Sequence, residues 1–304
     1  MAHNQSGWRS MAKSPLVTVI IATYNWSAVL PYAIGSVLRQ TMDDFELLVI
    51  GDGCTDDSEM VVTSIPDPRV RWINLPSNTG HQAGPNNRGL REARGEFIAY
   101  LGHDDIWLGH HLECMVAALQ SSGAAVAWSL LSRIFPGKSV GRPSFPGPQG
   151  AGGGTPSCTV YRRSVTDRIG GWKDYRELRL PPEADLFSRA RAAGFATVFV
   201  PRLTALKFPA SARKNVYRDK PSHEQAWWFE QIRARPDFEP SHLIEMMVAD
   251  EVVRATPARR LFRILIQEVI KRIAWRLSRK SGMKAMFWTA KGGGIEHVRK
   301  YKGL

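Results

Sequence analysis

Cysteine is scarce in this 304-residue chain, and its placement excludes more than its number does. Cys54, Cys114 and Cys158 are odd in number and lack the spacing of a metal site or a redox pair, so reduced thiols are expected. Long apolar runs are also missing: none approaches the roughly 18 to 20 residues that span a bilayer. The opening segment MAHNQSGWRSMAKS has no apolar core of the signal-peptide kind, which makes a cytoplasmic protein with a disordered stretch at 1–14 the expectation. No internal repeat is present. Acids are in deficit, with 28 Asp and Glu against 41 Lys and Arg, a formal charge of +13. That excess points to anionic partners such as nucleotides, phosphorylated lipids, membrane surfaces or nucleic acid.

The position of the charge narrows this range. Nine basic residues and one acid, Glu268, lie between Arg254 and Lys280, whereas the segment holding Asp43, Asp44, Asp52, Asp56, Asp57 and Glu59 is acidic. The excess is therefore C-terminal, which argues against nucleic acid as a partner of the centre of the chain. With 43% hydrophobic residues the chain can bury a full core, as one large domain or one domain plus an appendage.

Strand and helix signals alternate. Val17–Ala22 (VTVIIA) is a continuous β-branched run, expected of a strand covered on both faces, and Phe45–Ile50, Val70–Leu75 and Phe97–Leu101 are further strands. Helices are expected from a cap at Ser27 to about Gln40, from Asp56 with Glu59 at capping-box spacing, over Pro85–Arg94, over His110–Gln120, and over Glu183–Ala193 before Gly194. A last strand is expected at Thr197–Val200, ended by Pro201. The alternation implies a doubly wound α/β sheet. Phe135–Pro156 is dense in Gly and Pro and is expected to be a mobile loop. Farther on, Phe262, Ile266, Val269, Ile273 and Leu277 form one apolar helical stripe.

Three polar stretches fall after strands. Thr23-Tyr24-Asn25 follows the first, and it is not the Gly-rich turn that holds a dinucleotide pyrophosphate. After the second, Asp52 stands between Gly51 and Gly53, where its carboxylate can accept a base N–H or simply be satisfied by local amides. After the fourth, Gly102-His103 leads into Asp104 and Asp105, a place to hold a divalent cation or only a cap for the next helix. A polar loop with Asn78, Gly80, Asn87 and Arg88 opens a helix and could face phosphate.

In order and spacing, VTVIIATYN (17–25), DGCTDDS (52–58), NTG with NNRG (78–89), GEFIAYLGHDD (95–105) and GGW with EADL (171–186) resemble the inverting family 2 glycosyltransferases. The resemblance covers roughly residues 16 to 200. It implies a GT-A type, Rossmann-like α/β fold with a mixed, mostly parallel sheet flanked by helices, and a helical C-terminal extension. On this basis a catalytic domain spans 15–207, with a nucleotide-sugar part at about 15–122 and an acceptor part at about 123–207, followed by a basic, mainly helical region at 208–304. The resemblance further implies a nucleotide-sugar donor, UDP-linked by preference, and a glycan or lipid-linked acceptor. Thr23, Tyr24, Asn25, Asp52, Asn78, Gly80, Asn87, Arg88 and Asp104 would contact the donor, Asp104 and Asp105 would hold Mg²⁺ or Mn²⁺, and Glu183 or Asp185 would be the base.

Two departures stand out. Many members have Asp-X-Asp-Asp where this chain has Gly102-His103-Asp104-Asp105, so the leading acid is absent; a hard cation needs only one or two carboxylates when substrate phosphates supply the rest. Asp104 and Asp105 should face different ways, with Asp105 slightly favoured as ligand. Where many members read Glu-Asp-X-Asp-Leu, this chain has Pro182-Glu183-Ala184-Asp185-Leu186, which puts Glu183 at the base position, although both acids could be helix-start residues favoured by the dipole. His81, His103, His110 and His111 could line the site or be structural, and Trp107 is core or acceptor platform. A Gln-x-x-Arg-Trp signature is absent, Gln225-Ala226-Trp227-Trp228 being the nearest approach, so transfer of a single sugar is expected. The 255–280 helix could pack on the domain, form a homodimer or lie on the inner face of a membrane. The competing functions are a sugar-phosphate nucleotidyltransferase, whose Gly-rich basic turn is absent, and a non-enzymatic basic protein binding nucleic acid or membrane.

Overall fold

The computed structural model describes residues 14–137, 139–140 and 155–254. Most of the Gly/Pro-rich stretch and the whole basic 255–280 stripe lie outside the described residues.

The first half alternates β1 (Val17–Thr23), α1 (Leu30–Leu38), β2 (Phe45–Gly51), α2 (Ser58–Thr63), β3 (Val70–Asn74), α3 (Ala83–Glu92) and β4 (Phe97–Tyr100). The strands of this half are all parallel, in the order β3-β2-β1-β4. The mostly apolar character of β1, β2 and β4 has a direct cause: residues of opposite parity face opposite sides, and both sides are covered, whereas β3 at the edge is only half-buried. Val17, Val19, Ile21, Leu47 and Val49 pack with Ile34 and Val37 of α1 on one face, while Ile20, Leu48, Ile50 and Ile98 pack with Ala83 and Leu186 on the other.

The second half adds β5 (Ile106–Trp107), α4 (His111–Ser122), β6 (Val126–Phe135), β7 (Ser139–Val140), β8 (Thr159–Arg162), α5 (Ser164–Ile169), α6 (Pro182–Ala192), β9 (Thr197–Lys207), α7 (Val216–Asp219), α8 (His223–Ala234) and α9 (Phe238–Arg254). Among the described residues the sheet has nine strands, continuing from β4 as β8-β6-β9-β5 with β7 paired to β6. β8 is antiparallel to both neighbours, and β6 and β9 are parallel. The chain therefore leaves β4 in the middle of the sheet and reaches β5 at the far edge, so the Gly102–Asp105 turn crosses over the strand ends between them.

Several expectations shift. α1 starts at Leu30 with no side-chain cap, because the Ser27 N–H donates to Asp56 Oδ2 at 2.9 Å and Ser27 belongs to the preceding turn. Asp56 also accepts from the Ser58 N–H at 3.1 Å, so it joins two loops rather than forming a capping box with Glu59, and α2 starts at Ser58. Pro201 does not end the last strand: the register against β6 slips between Ser129 and Leu130, leaving Pro201 and Arg202 at an irregularity where a missing N–H breaks no ladder bond, and β9 runs on to Lys207. β5, β6, β7 and β8 lie where no strand was expected. Packing also runs through position 207. Phe208, Trp228, Phe238 and Met246 share one core cluster with Ile106, Leu108, Leu203 and Leu206, so residues 208–254 cover the far end of the sheet rather than forming a separate appendage.

Candidate active site

The crevice lies at the carboxyl ends of β1, β2 and β4, the place where open α/β sheets bind ligands. Its floor is a set of loops joined to each other. Asn25 has a left-handed backbone (φ +45°), and its Oδ1 accepts from the Thr55 N–H at 2.7 Å and the Asp56 N–H at 3.3 Å. Gly53 adopts φ +71°, and a Cβ there would lie within 3 Å of the Ser77 and Asn78 backbone, so glycine is what lets these two loops touch. Asp52 is buried, and the Thr79 N–H and Oγ1 both donate to its Oδ1, at 3.0 and 2.8 Å. Among the described residues both bonds fall on Oδ1 and none on Oδ2.

Thr23 is buried against His103, with 3.0 Å between Oγ1 and Nδ1. Burial pushes the His103 pKa down to about 4, so the ring is neutral at pH 7. Trp26 stands edge-on to that ring, 5.2 Å between centroids, and its Nε1–H donates to the Lys220 carbonyl at 3.0 Å. The chain after α7 is thereby tied to the loop after β1. Tyr24 is half-buried beside these groups.

The two adjacent acids differ sharply. Asp105 is fully buried: its Oδ2 accepts from Ser157 Oγ at 2.5 Å and from Lys207 Nζ at 3.0 Å, and its Oδ1 from the Phe208 N–H at 3.0 Å. Asp104 is 8% exposed, and Gln225 Nε2 donates to its backbone carbonyl at 3.3 Å. Burial works against the Lys207 ammonium, but the fields of Asp105, Asp104 and Glu183 outweigh it and hold its pKa above the ordinary lysine value. The end of β4, the end of β9 and the start of α6 thus converge on one charged cluster.

Glu183, in the first turn of α6, accepts from Gln82 Nε2 at 3.2 Å on an exposed edge of the crevice. Asp185 faces elsewhere: its Oδ2 accepts from Arg189 Nε at 2.7 Å, and Arg189 also holds the carbonyls of Ile169 and Gly171. Asp185 is therefore a structural partner one helical turn from Arg189, not a group at the crevice. Other expected contacts also turn inward. Arg88 pairs with Glu92 on its own helix at 3.0 Å, and Asn87 exchanges two bonds with the Trp172 backbone, both at 2.8 Å, fixing the Gly171-Trp172 turn. Asn78 Oδ1 accepts from the Gly80 N–H, shaping the loop.

Most of the remaining candidates are structural. His111 is stacked on Trp107, 4.0 Å between centroids, with its pKa pushed down to about 3 by burial. Trp107 is 1% exposed and belongs to the core, so it offers no acceptor platform. His110 lies on the Leu203 carbonyl and Glu239, and His81 pairs with Asp174 at 3.2 Å. All three cysteines are free, and burial raises the pKa of each, to about 11 for Cys114 and about 12 for Cys158. Lys207, Ser157 and Gln225 were not foreseen as part of the cluster; a lone Lys closing the apolar TALKF run was the one signal available.

The donor set does not fit a two-carboxylate metal centre. Both Asp105 oxygens are taken by protein donors, one of them an ammonium, and Gly102 supplies no acid. Among the described residues no group of three or more His, Cys, Asp or Glu side chains is placed to hold an ion. No described helix is long and apolar enough to cross a membrane.

Solved structures share this architecture. S. aureus TarS 1-349 in complex with UDP-GlcNAc superposes with a TM-score of 0.55 at 17% identity, over 74% of this chain and 68% of that one. Mannosyltransferase PcManGT from Pyrobaculum calidifontis, in complex with GDP-Man and Mn²⁺, gives 0.52 at 15% identity, over 96% and 88%. At such identities the likeness establishes the fold, which is of the GT-A type. Among curated relatives, the Escherichia coli protein WfgD, named a UDP-Glc:alpha-D-GlcNAc-diphosphoundecaprenol beta-1,3-glucosyltransferase, is 32% identical over 134 residues, 44% of this chain and 52% of that protein. The Rhizobium meliloti succinoglycan biosynthesis protein ExoO is 38% identical over 115 residues, 38% of this chain and 33% of that protein. The chain thus spans between a third and about half of these relatives. Residues 18–170, half of the chain and including every loop of the crevice floor, match glycosyl transferase family 2, and the chain belongs to that family.

Proposed function

We propose that this protein transfers one glycosyl group from a nucleoside-diphosphate sugar to a hydroxyl acceptor, with inversion at the anomeric carbon. The observation that carries this reading is the Asp105–Lys207 bond, which joins the turn after β4 to the end of β9 beside Asp104, with Glu183 at the start of α6 adding its field at Lys207. The loops of Asp52 and Tyr24 form the base-binding end, where Asp52 Oδ2 can accept a base N–H. Glu183 is the general base: it lies on the exposed edge, and Gln82 holds one of its oxygens while leaving the carboxylate reachable. As the acceptor oxygen bonds to the anomeric carbon from the face opposite the leaving group, its proton passes to Glu183, and the electron pair of the broken C–O bond stays on the departing diphosphate. Asp185 takes no part.

Of the two expected metal residues, Asp104 alone is retained as a contact for a Mg²⁺ or Mn²⁺ brought in with the diphosphate, and no step above depends on it. A uridine donor is favoured by the UDP-GlcNAc bound in the TarS relative and the UDP-Glc in the name of WfgD. A lipid-linked saccharide acceptor is favoured by the diphosphoundecaprenol substrates named for WfgD and for a Campylobacter jejuni relative 31% identical over 142 residues. Such an acceptor would bring the enzyme to the inner face of a membrane. The 255–280 stripe proposed to contact it, or to join two copies, lies outside the described residues.

The test is incubation of the protein with UDP- and GDP-sugars and an undecaprenyl-diphosphate saccharide, scored for the nucleoside diphosphate released and the extended lipid. Release that depends on acceptor and on Glu183 supports the reading; a product with the anomeric configuration of the donor overturns inversion.

A further inference from the structure

The place of the missing family acid is filled in a definite way. A Cβ at Gly102 would stand 2.7 Å from Asp105 Oδ2 and 3.3 Å from Asp104 Oδ1, so the carboxylates themselves occupy the space a side chain there would need. Asp105 in turn is turned away from ligand duty by Ser157 Oγ, the Phe208 N–H and Lys207 Nζ. A buried carboxylate held by three donors is a mount, and what it mounts is a cation. Lys207 differs from it in one respect that matters: Asp105 has no exposed surface, whereas the Lys207 side chain is 30% exposed. An ammonium carries three N–H donors on a flexible stem, and Asp105 takes one of them.

We propose that the Lys207 ammonium is the resident cation of the diphosphate subsite, binding the donor's terminal phosphate directly and offsetting the charge of the departing nucleoside diphosphate. The inference rests on the donor reading above and deepens it, since it assigns the charge-offsetting role to a residue of this chain. No proton leaves Lys207 in the step: the bond between the anomeric carbon and the phosphate oxygen breaks, its electron pair stays on that oxygen, and Lys207 donates a hydrogen bond to the diphosphate as the negative charge grows. Asp105 is a positioning residue. It holds the ammonium at the end of β9, beside the Asp104 turn, and takes only one of its N–H donors, which leaves the others for phosphate.

The experiment is calorimetric titration of UDP and GDP into the full-length protein, in EDTA and again in Mn²⁺, for wild type, Lys207→Met and the double variant Asp105→Asn/Lys207→Met. Wild type is expected to keep its affinity for the bound nucleotide within about threefold when EDTA replaces Mn²⁺. Lys207→Met is expected to lose about tenfold or more in EDTA, the size of one charge-assisted contact. The double variant removes the stranded carboxylate together with the ammonium; it is expected to recover the thermal stability lost by the single variant while binding as weakly. Equal affinity of wild type and the double variant in EDTA overturns the proposal, as does wild-type binding that appears only with Mn²⁺. If neither nucleotide binds wild type under either condition, the donor reading falls, and this inference with it.

Discussion

The β1–β3 side of the crevice and the β9–α8 side hold their polar groups by different means. On the first side short bonds from uncharged donors, with no ion pair, join neighbouring loops: Asn25 to Thr55, Asn74 to the Cys54 backbone, Thr79 to Asp52. On the second, charges and long-range contacts do the work: Lys207 on Asp105, Arg213 on Glu224 with both side chains buried, Gln225 on the Asp104 carbonyl. A floor of hydrogen bonds from uncharged donors tolerates the loss of any one, at about 1 kcal/mol each. A wall of buried charges does not, because removing one partner strands the other.

The largest expected effect tests which acid belongs to the chemistry. Glu183→Gln should lower kcat by about 10²- to 10⁴-fold, the usual contribution of a general base, with nucleotide affinity within about threefold of wild type. Asp185→Asn should cost less than tenfold, since Arg189 keeps the carbonyls of Ile169 and Gly171. Equal damage from the two would remove the distinction between crevice and helix-start acid.

The next prediction sets the two sides against each other directly. Asp105→Asn, which leaves Lys207 without its carboxylate, should destabilise the protein by about 2 to 4 kcal/mol in chemical denaturation, below the full cost for a buried pair because Lys207 is partly exposed. Thr79→Val on the floor should cost about 1 kcal/mol, one neutral-to-carboxylate bond with the backbone bond retained. Comparable losses would show that the wall is no more charge-dependent than the floor.

Acid should reveal one histidine on each side. His103 touches the floor at Thr23 and His111 the wall at Thr204, and burial keeps both neutral, at about 4 and about 3. An unfolded histidine titrates near 6.5, so below that pH the unfolded chain binds two protons that the folded chain does not. The stability these rings confer is fully present above about pH 6.5 and declines as pH falls toward 4, by about 1.4 kcal/mol per pH unit for each ring. Urea denaturation at pH 6.5 and 5.5 should therefore differ by about 2 to 3 kcal/mol, and His111→Asn should remove about half of that difference; a pH-independent midpoint over this range would mean that neither ring is buried neutral.

The same contrast explains what could be read in the residues alone. β1, β2 and β4 announce themselves because a strand buried on both faces must be largely apolar, and the loops after β2 and β4 stand out because Asp52 and the Asp104-Asp105 pair interrupt that apolarity. The structure places these loops at the strand ends and Glu183 at the start of α6. The wall was not legible. Pro201 reads as the end of the last strand because a proline ordinarily ends one, and only the pairing of β9 with β6 shows that the slip in register absorbs it. Lys207 is one of many basic residues in a chain of formal charge +13, and the apolar TALKF run around it is the one local mark that sets it apart. Its meaning comes from Asp105, 102 positions earlier, and a contact that distant leaves no periodic trace. Arg88 and Asn87 failed in the opposite direction. Their loop reads as phosphate-binding, yet Glu92 lies one turn away and the Trp172 backbone within reach, and both side chains turn to these neighbours instead.

The smallest effect probes whether the two sides form one cooperative unit. Trp26 crosses from the floor to the wall: it is 1% exposed, stands edge-on to His103 and Tyr217, and donates to the Lys220 carbonyl. Trp26→Phe keeps most of the ring packing and removes that single bond, a cost of about 1 kcal/mol. A loss so small will scarcely move global unfolding, but hydrogen exchange resolves it by position. If floor and wall are separately held, as their bonding suggests, protection should fall about fivefold at 216–220 and stay unchanged at 52–56 and 77–80, because the Asn25 and Asp52 bonds do not pass through Trp26. If protection falls equally in both, the floor depends on the wall and its ion pairs for its order, and the contrast between them is one of chemistry alone, not of stability.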